Sequence, residues 1–201
     1  LSLHSASQLE RDCKVGAAGE LYVFELLSHL SENGAPLPPL SGFSRDNWQS
    51  NIRRYVTVHP DYASMEPWSG RETSDLVYDD VSGSLTSLLV DKGYLARERW
   101  LLRPRGPKYF LEVKTTTMSC ETAFYMSKAQ YQRMRNNVVT EDSNTLHVVF
   151  RVYNLGQENI GVKVYVDPET LRLAGRLTFT GETWSVVPGQ VWNKNTSQVR
   201  G

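Results

Sequence analysis

Hydrophobic and polar positions along the chain follow two different periods. Between residues 8 and 31, Val15, Ala18, Leu21, Tyr22 and Leu26 recur at spacings of three and four, predicting a helix with one buried face. Asn33-Gly34 supplies a stop. The stretch "APLPPLSGFS", Ala35 to Ser44, holds too much proline to continue a helix. Further along the period shortens: "NIRRYVTVHP" reads as a short strand or extended segment ending at Pro60, and "SDLVYDD", Ser74 to Asp80, as a strand with polar ends. Residues 81–107 have no sustained period and read as an insertion. "KYFLEVKTTT", Lys108 to Thr117, predicts a core strand. "SKAQYQRMRNN", Ser127 to Asn137, predicts a helix capped by Ser127. "LHVVFRVYNL" and "IGVKVYVDPETL" predict two more strands, the second closing at an Asp-Pro turn. "RLTFTGETWSVVPG" reads as a terminal hairpin and residues 193–201 as a disordered tail. The order helix, strands, helix, strands predicts an α/β or α+β fold around a mixed sheet, as one domain over 1–192.

Composition narrows the classes. With 40% hydrophobic and 22% charged residues the chain can bury a proper core. The formal charge is zero, which argues against a histone-like basic coat but allows a local basic patch. No run is apolar enough to span a bilayer and the start does not resemble a signal peptide, so the expected partners exclude a membrane. The chain begins at Leu1 rather than Met, predicting a piece of a longer protein with further domains. Cys13 and Cys120 form no CxxC pair, which excludes a disulfide framework and favours reduced thiols inside the cell. His4, His29, His59 and His147 have no zinc-ligand spacing.

Three acidic residues stand in apolar company: Glu20 in "GAAGELYVFELL", Asp75 opening "SDLVY", and Glu112 two residues before Lys114 in "FLEVK". In a strand Phe110, Glu112 and Lys114 share one face, where charge is costly to desolvate unless paired or metal-bound. A Glu-x-Lys triplet arises by chance about once in a chain this long. On its own it reads as a same-face ion pair. The order Glu, Asp, Glu-x-Lys is more informative. If the two strands are neighbours, Asp75 and Glu112 can converge on a hard cation such as magnesium or manganese. That cation would neutralise charge on a phosphodiester and acidify water, which Lys114 would orient.

Asp75, then Glu112-Val113-Lys114, with Glu20 upstream, resembles the motif of the PD-(D/E)xK, or restriction-endonuclease-like, nuclease superfamily. Within it, "GAAGELYVFELL", "NWQSNIRRY", "SDLVYDD", "YFLEVKTTT", "FYMSKAQYQRM" and "VVFRVYNL" are similar to the NO VEIN C-terminal domain family. The similarity covers about Gly16 to Asp167. It implies a three-layer α/β sandwich with a central mixed sheet flanked by helices. It also implies Asp75 and Glu112 as metal ligands, the Val113 carbonyl as a third, Lys114 holding the attacking water, and Glu20 at the site's edge. Ser127 and Gln130 would face the site and contact a phosphate. Ser74 stands where the superfamily's name has proline, and the gap between the motif strands is long.

Basic residues fill that gap. From 91 to 108, Lys92, Arg97, Arg99, Arg103, Arg105 and Lys108 stand against Asp91 and Glu98, so six minus two leaves four positive charges. With Lys128, Arg133 and Arg135 they are candidate phosphate contacts. Of Arg53 and Arg54, the similarity around Trp48 favours Arg53. Trp48, Trp68 and Trp100 are candidates for stacking on bases, with packing as the competing role. The expected function is a magnesium- or manganese-dependent nuclease-like domain acting on DNA, intracellular and nuclear if that DNA is chromosomal. The alternative is a catalytically inactive nuclease-fold module that binds nucleic acid or a protein partner.

Overall fold

A computed structural model describes residues 3–180 apart from 33, 101–104 and 141–142. Helix α1 (Leu3–Ser28) leads into a minimal hairpin of β1 (Ser31–Glu32) and β2 (Ala35–Pro36). Next come β3 (Leu76–Asp79), α2 (Ser84–Asp91), α3 (Arg97–Trp100) and β4 (Lys108–Thr115). The chain continues through α4 (Lys128–Asn136), β5 (Thr145–Tyr153), β6 (Gly161–Val166) and α5 (Pro168–Leu173). The fold is mixed α/β around a four-stranded mixed sheet ordered β3-β4-β5-β6, with β4 and β5 parallel and both outer pairings antiparallel.

The register sorts the sheet into two unlike faces, because side chains alternate along each strand. Leu76, Tyr109, Leu111, Val113, Leu146, Val148, Phe150 and Val152 point to one side. They join Ala17, Val23, Phe24 and Leu27 of α1 in the main core. Each such aliphatic side chain, fully buried, contributes ~1.5–3 kcal/mol, so this face holds the fold together. The opposite face carries Val77, Phe110, Glu112, Lys114, His147, Val149 and Arg151. There Val77, Val149 and Met134 of α4 are buried outside the main core, and Gln130 of α4 reaches Glu112 and Lys114. Helices thus lie against both faces.

Several segments differ from the sequence reading. The 51–60 segment is not extended: Arg53–Val58 winds into a 3₁₀ helix, burying Val56 and leaving Val58 exposed. The insertion contains α2, whose Leu85, Leu89 and Val90 join the core. The Asp-Pro turn opens α5, with Asp167 as N-cap and Pro168 in the first turn. Residues 176–180 of the expected hairpin are not strand. The rest of that hairpin and the expected tail lie outside the described residues. Among the described residues no helix is long and apolar enough to cross a membrane.

Close approach of α1 to the sheet depends on Gly19. A Cβ there would fall 1.9 Å from Thr115 Oγ1 and 2.7 Å from its Cγ2. Gly19→Ala is expected to cost about 1–3 kcal/mol in urea unfolding, and adding Thr115→Ala should recover part of that loss.

His147, 1% exposed, has no hydrogen-bond partner on either ring nitrogen. Burial first, then the charges of Arg133 and Lys114, push its pKa down to about 4. The folded state therefore binds fewer protons than the unfolded state below about pH 6.5, and stability is lost as pH falls from there towards 4. Unfolding curves at pH 7 and pH 4 should show His147→Leu escaping about 3 kcal/mol of this loss.

Candidate active site

The charged residues of the sequence motif come together at the junction of α1, the start of β3 and the second half of β4. Glu20, Asp75 and Glu112 are 3%, 6% and 1% exposed. Register explains the last two: Leu76 pairs with Leu111, so Asp75 and Glu112 are the next residues on adjacent antiparallel strands. Asp75 is fixed from both sides. Its Oδ2 accepts the Val113 N–H at 2.6 Å, and its carbonyl accepts the Gln49 N–H at 2.8 Å.

Glu20 projects from α1 between two donors, Trp48 Nε1–H at 2.7 Å and the Ser50 hydroxyl at 2.9 Å. The Trp48–Leu76 bridge ties this segment to the outer side of β3. Trp48 is thus fully packed against the site's rear wall and serves as a donor to Glu20. Ser50 belongs to the same arrangement; it lies within the segment "NWQSNIRRY", but the sequence reading gave it no role.

Glu112 Oε1 accepts the Lys114 ammonium at 2.9 Å and the side-chain amide of Gln130, while Oε2 faces the Ser74 hydroxyl at 3.3 Å. The same-face ion pair of the sequence reading is present, and it is nearly dry, with the Lys114 side chain 14% exposed. Gln130 reaches this point because Ser127 starts α4. Ser127 Oγ accepts the Gln130 N–H at 3.2 Å, and Gln130 Oε1 accepts the Ser127 N–H at 2.9 Å. The same Gln130 oxygen accepts Lys114 Nζ at 3.2 Å.

Three buried carboxylates therefore face one ammonium. Burial is the first cause that raises Glu20, to about 8, reinforced by the charges of Glu72 and Glu112 and opposed by its two donors. Asp75 is held well above the usual carboxylate range, first by burial, then by Glu112 and Glu20, against Lys114 and the Val113 N–H. Only added positive charge or bound protons can relieve such a cluster.

The donor chemistry fits a hard cation, since the free valences here are carboxylate oxygens. Among the described residues no three His, Cys, Asp or Glu side chains are grouped to hold a metal unaided. Glu20 and Glu112 are partly engaged by their donors. That suits magnesium, which takes one or two carboxylates and completes its shell with water and substrate oxygens. Asp75 and Glu112 would be the pair to hold it.

The expected nucleic-acid contacts separate. Ser127 and Lys128 are exposed at the start of α4, beside Gln130. Arg53 is buried, its Nε and Nη1 donating to the carbonyls of Glu66 and Trp48 at 2.7 and 2.5 Å, with its guanidinium over Trp68. In the insertion Lys92, Arg97 and Arg105 pair with Glu32, Asp91 and Asp79. Trp48 and Trp100 are buried. No protein-family model matches the chain, and comparisons with curated proteins and solved structures give no significant match.

Because the folded-state pKa of Glu20 lies above its unfolded value, the folded protein holds an extra proton between about pH 4.5 and 8. Its contribution is complete below that window and is lost as pH rises through it. Glu20→Gln keeps an uncharged hydrogen-bonding group in place. In chemical denaturation its stability relative to the unsubstituted protein should rise between pH 5 and pH 8, by more than about 1 kcal/mol.

Proposed function

We propose that this chain is a metal-dependent nuclease-like domain of the PD-(D/E)xK, restriction-endonuclease-like type, akin to the NO VEIN C-terminal domains, acting on DNA phosphodiesters. The single observation that carries the reading is the placement of Asp75 and Glu112. Asp75, the residue just before β3, and Glu112 of the neighbouring β4 lie side by side, dry, with Lys114 on the same face of β4 bonded to Glu112. An ordinary surface ion pair needs neither the burial nor the second and third carboxylates.

In this reading Asp75 and Glu112, with the Val113 carbonyl, hold magnesium or manganese. When bound, the cation supplies positive charge against the phosphate and acidifies nearby water. Lys114 has three N–H donors, two of them directed at Glu112 and Gln130. The third is available to orient water for attack on phosphorus, as one P–O ester bond breaks and the departing oxygen takes up a proton. Gln130 holds the lysine and Glu112 in register from α4. Glu20, tied to Trp48 and Ser50, sets the field behind Asp75. Lys128 and the Ser127 hydroxyl would contact a phosphate of the substrate. The near-complete hydrogen bonding of Glu20 and Glu112 favours a second reading, a module that binds nucleic acid without cutting it.

Incubation with magnesium or manganese and single-stranded, duplex and branched DNA, and with RNA, separates the two. The nuclease reading expects cleavage that chelation abolishes and that Asp75→Ala and Lys114→Ala each reduce by about 100-fold or more. Salt-sensitive binding without cleavage, unchanged in both variants, would instead identify the binding module.

A further inference from the structure

Between β4 and α4 the chain runs through residues 116–127, and both ends of this connection carry site residues: Lys114 before it, Gln130 after it. Its backbone is pinned. The Thr116 N–H donates to Val152 O at 2.9 Å, and the Asn154 N–H to Met118 O at 2.8 Å. Gln157 Nε2 donates to Thr117 O at 2.6 Å, and Arg151 Nη2 to Thr122 O at 2.8 Å. The Arg151 guanidinium also lies over the Phe124 ring, 5.3 Å from its centroid, and Arg151 is itself 1% exposed.

Burial alternates along the second half of this connection. Thr122, Phe124 and Met126 turn partly inward, while Ala123, Tyr125 and Ser127 are exposed. Tyr125 is 73% exposed, on a segment whose neighbour Phe124 is fixed under a buried arginine. It is two residues from Ser127, whose N–H touches Gln130 Oε1, so at most about 7 Å of chain separates it from a residue bonded to the site. Lys128 is exposed one residue beyond. Of the tryptophans singled out in the sequence, Trp48 and Trp100 are buried and Trp68 is half-buried with the Arg53 guanidinium over its ring.

We infer that Tyr125 is a stacking platform for an unpaired nucleobase, so that the site takes single-stranded or locally opened nucleic acid in preference to intact duplex. The inference rests on the nucleic-acid reading above and adds the substrate class. A flat ring on a pinned stretch of backbone has only two side-chain torsions to fix when a base settles on it. Base–aromatic stacking requires an unpaired base but no particular sequence. Lys128 supplies the neighbouring positive charge for that nucleotide's backbone.

Fluorescence anisotropy without divalent metal, so that nothing is cut, provides the test. The probes are a dye-labelled mixed-sequence single strand, the same strand with abasic sites throughout, and a blunt duplex. Tyr125→Ala should weaken single-strand binding by about 5- to 150-fold, leave binding to the abasic strand and the duplex unchanged, and melt like the unsubstituted protein. Tyr125→Phe, which keeps the ring, should bind within about twofold of the unsubstituted protein. If the unsubstituted protein binds nucleic acid and Lys128→Ala weakens it, but Tyr125→Ala does not, the stacking role is overturned and the nucleic-acid reading survives. If the unsubstituted protein binds none of the probes, and no RNA, and cuts none of them with magnesium or manganese, both fall together.

Discussion

The desolvation of carboxylates at the end of two paired strands is the constraint on which the rest of the structure depends. Glu20, Asp75 and Glu112 are removed from water, and Lys114 is the cation placed among them. An isolated buried carboxylate is costly enough that proteins either neutralise it or surround it with donors. Here both remedies are visible: Glu20 has Trp48 and Ser50, Asp75 has the Val113 N–H, and Glu112 has Lys114, Gln130 and Ser74. These donors come from α1's neighbouring segment, the approach to β3, β4 itself and the start of α4. The local architecture is arranged around holding acidic groups where they would not otherwise stay.

Such a cluster is affordable because the two faces of the sheet have different tasks. The face under α1 is apolar along four strands and supplies most of the burial. The face under α4 can then carry Glu112, Lys114, His147 and Arg151. Gly19 joins the two tasks, since the close approach it permits brings the next residue, Glu20, to the edge of the sheet. A bulkier helix surface would lift the carboxylate away from Asp75 and Glu112.

Much of the fold was legible where burial is one-sided. The helix through Leu26, the strands at Leu76, Lys108 and Thr145, and the Ser127 cap all follow from periodicity or capping chemistry. The segment at 53–58 misled because "RRYVTV" alternates like a strand, yet Val56 and, in part, Tyr55 pack on the core from adjacent positions and its donors close locally into 3₁₀ turns. Helix α2 lacked a start signal, since its N-cap is Gly83 in a left-handed conformation. The cap comes from Asp80, whose carboxylate accepts the Thr86 N–H. The acidic residues stood out in sequence because charge interrupts apolar runs there. Of their partners, Lys114 and Gln130 were expected at the site and Trp48 only as a packing or stacking residue. Ser50, and the double role of Gln130 as cap and bridge, emerge only when segments distant in sequence are folded together. Tyr125 carries no periodic signal at all, because its exposure depends on what pins its neighbours.

The central claim is that this acidic cluster is a binding site for a divalent cation, and direct titration of the protein with magnesium or manganese by calorimetry tests it most simply. The account predicts saturable binding of about one cation per chain at millimolar or lower concentration, weakened in Glu112→Gln and lost in Asp75→Asn while both variants remain folded. A folded, unsubstituted protein that takes up neither cation, or binds them equally well in Asp75→Asn, would contradict it.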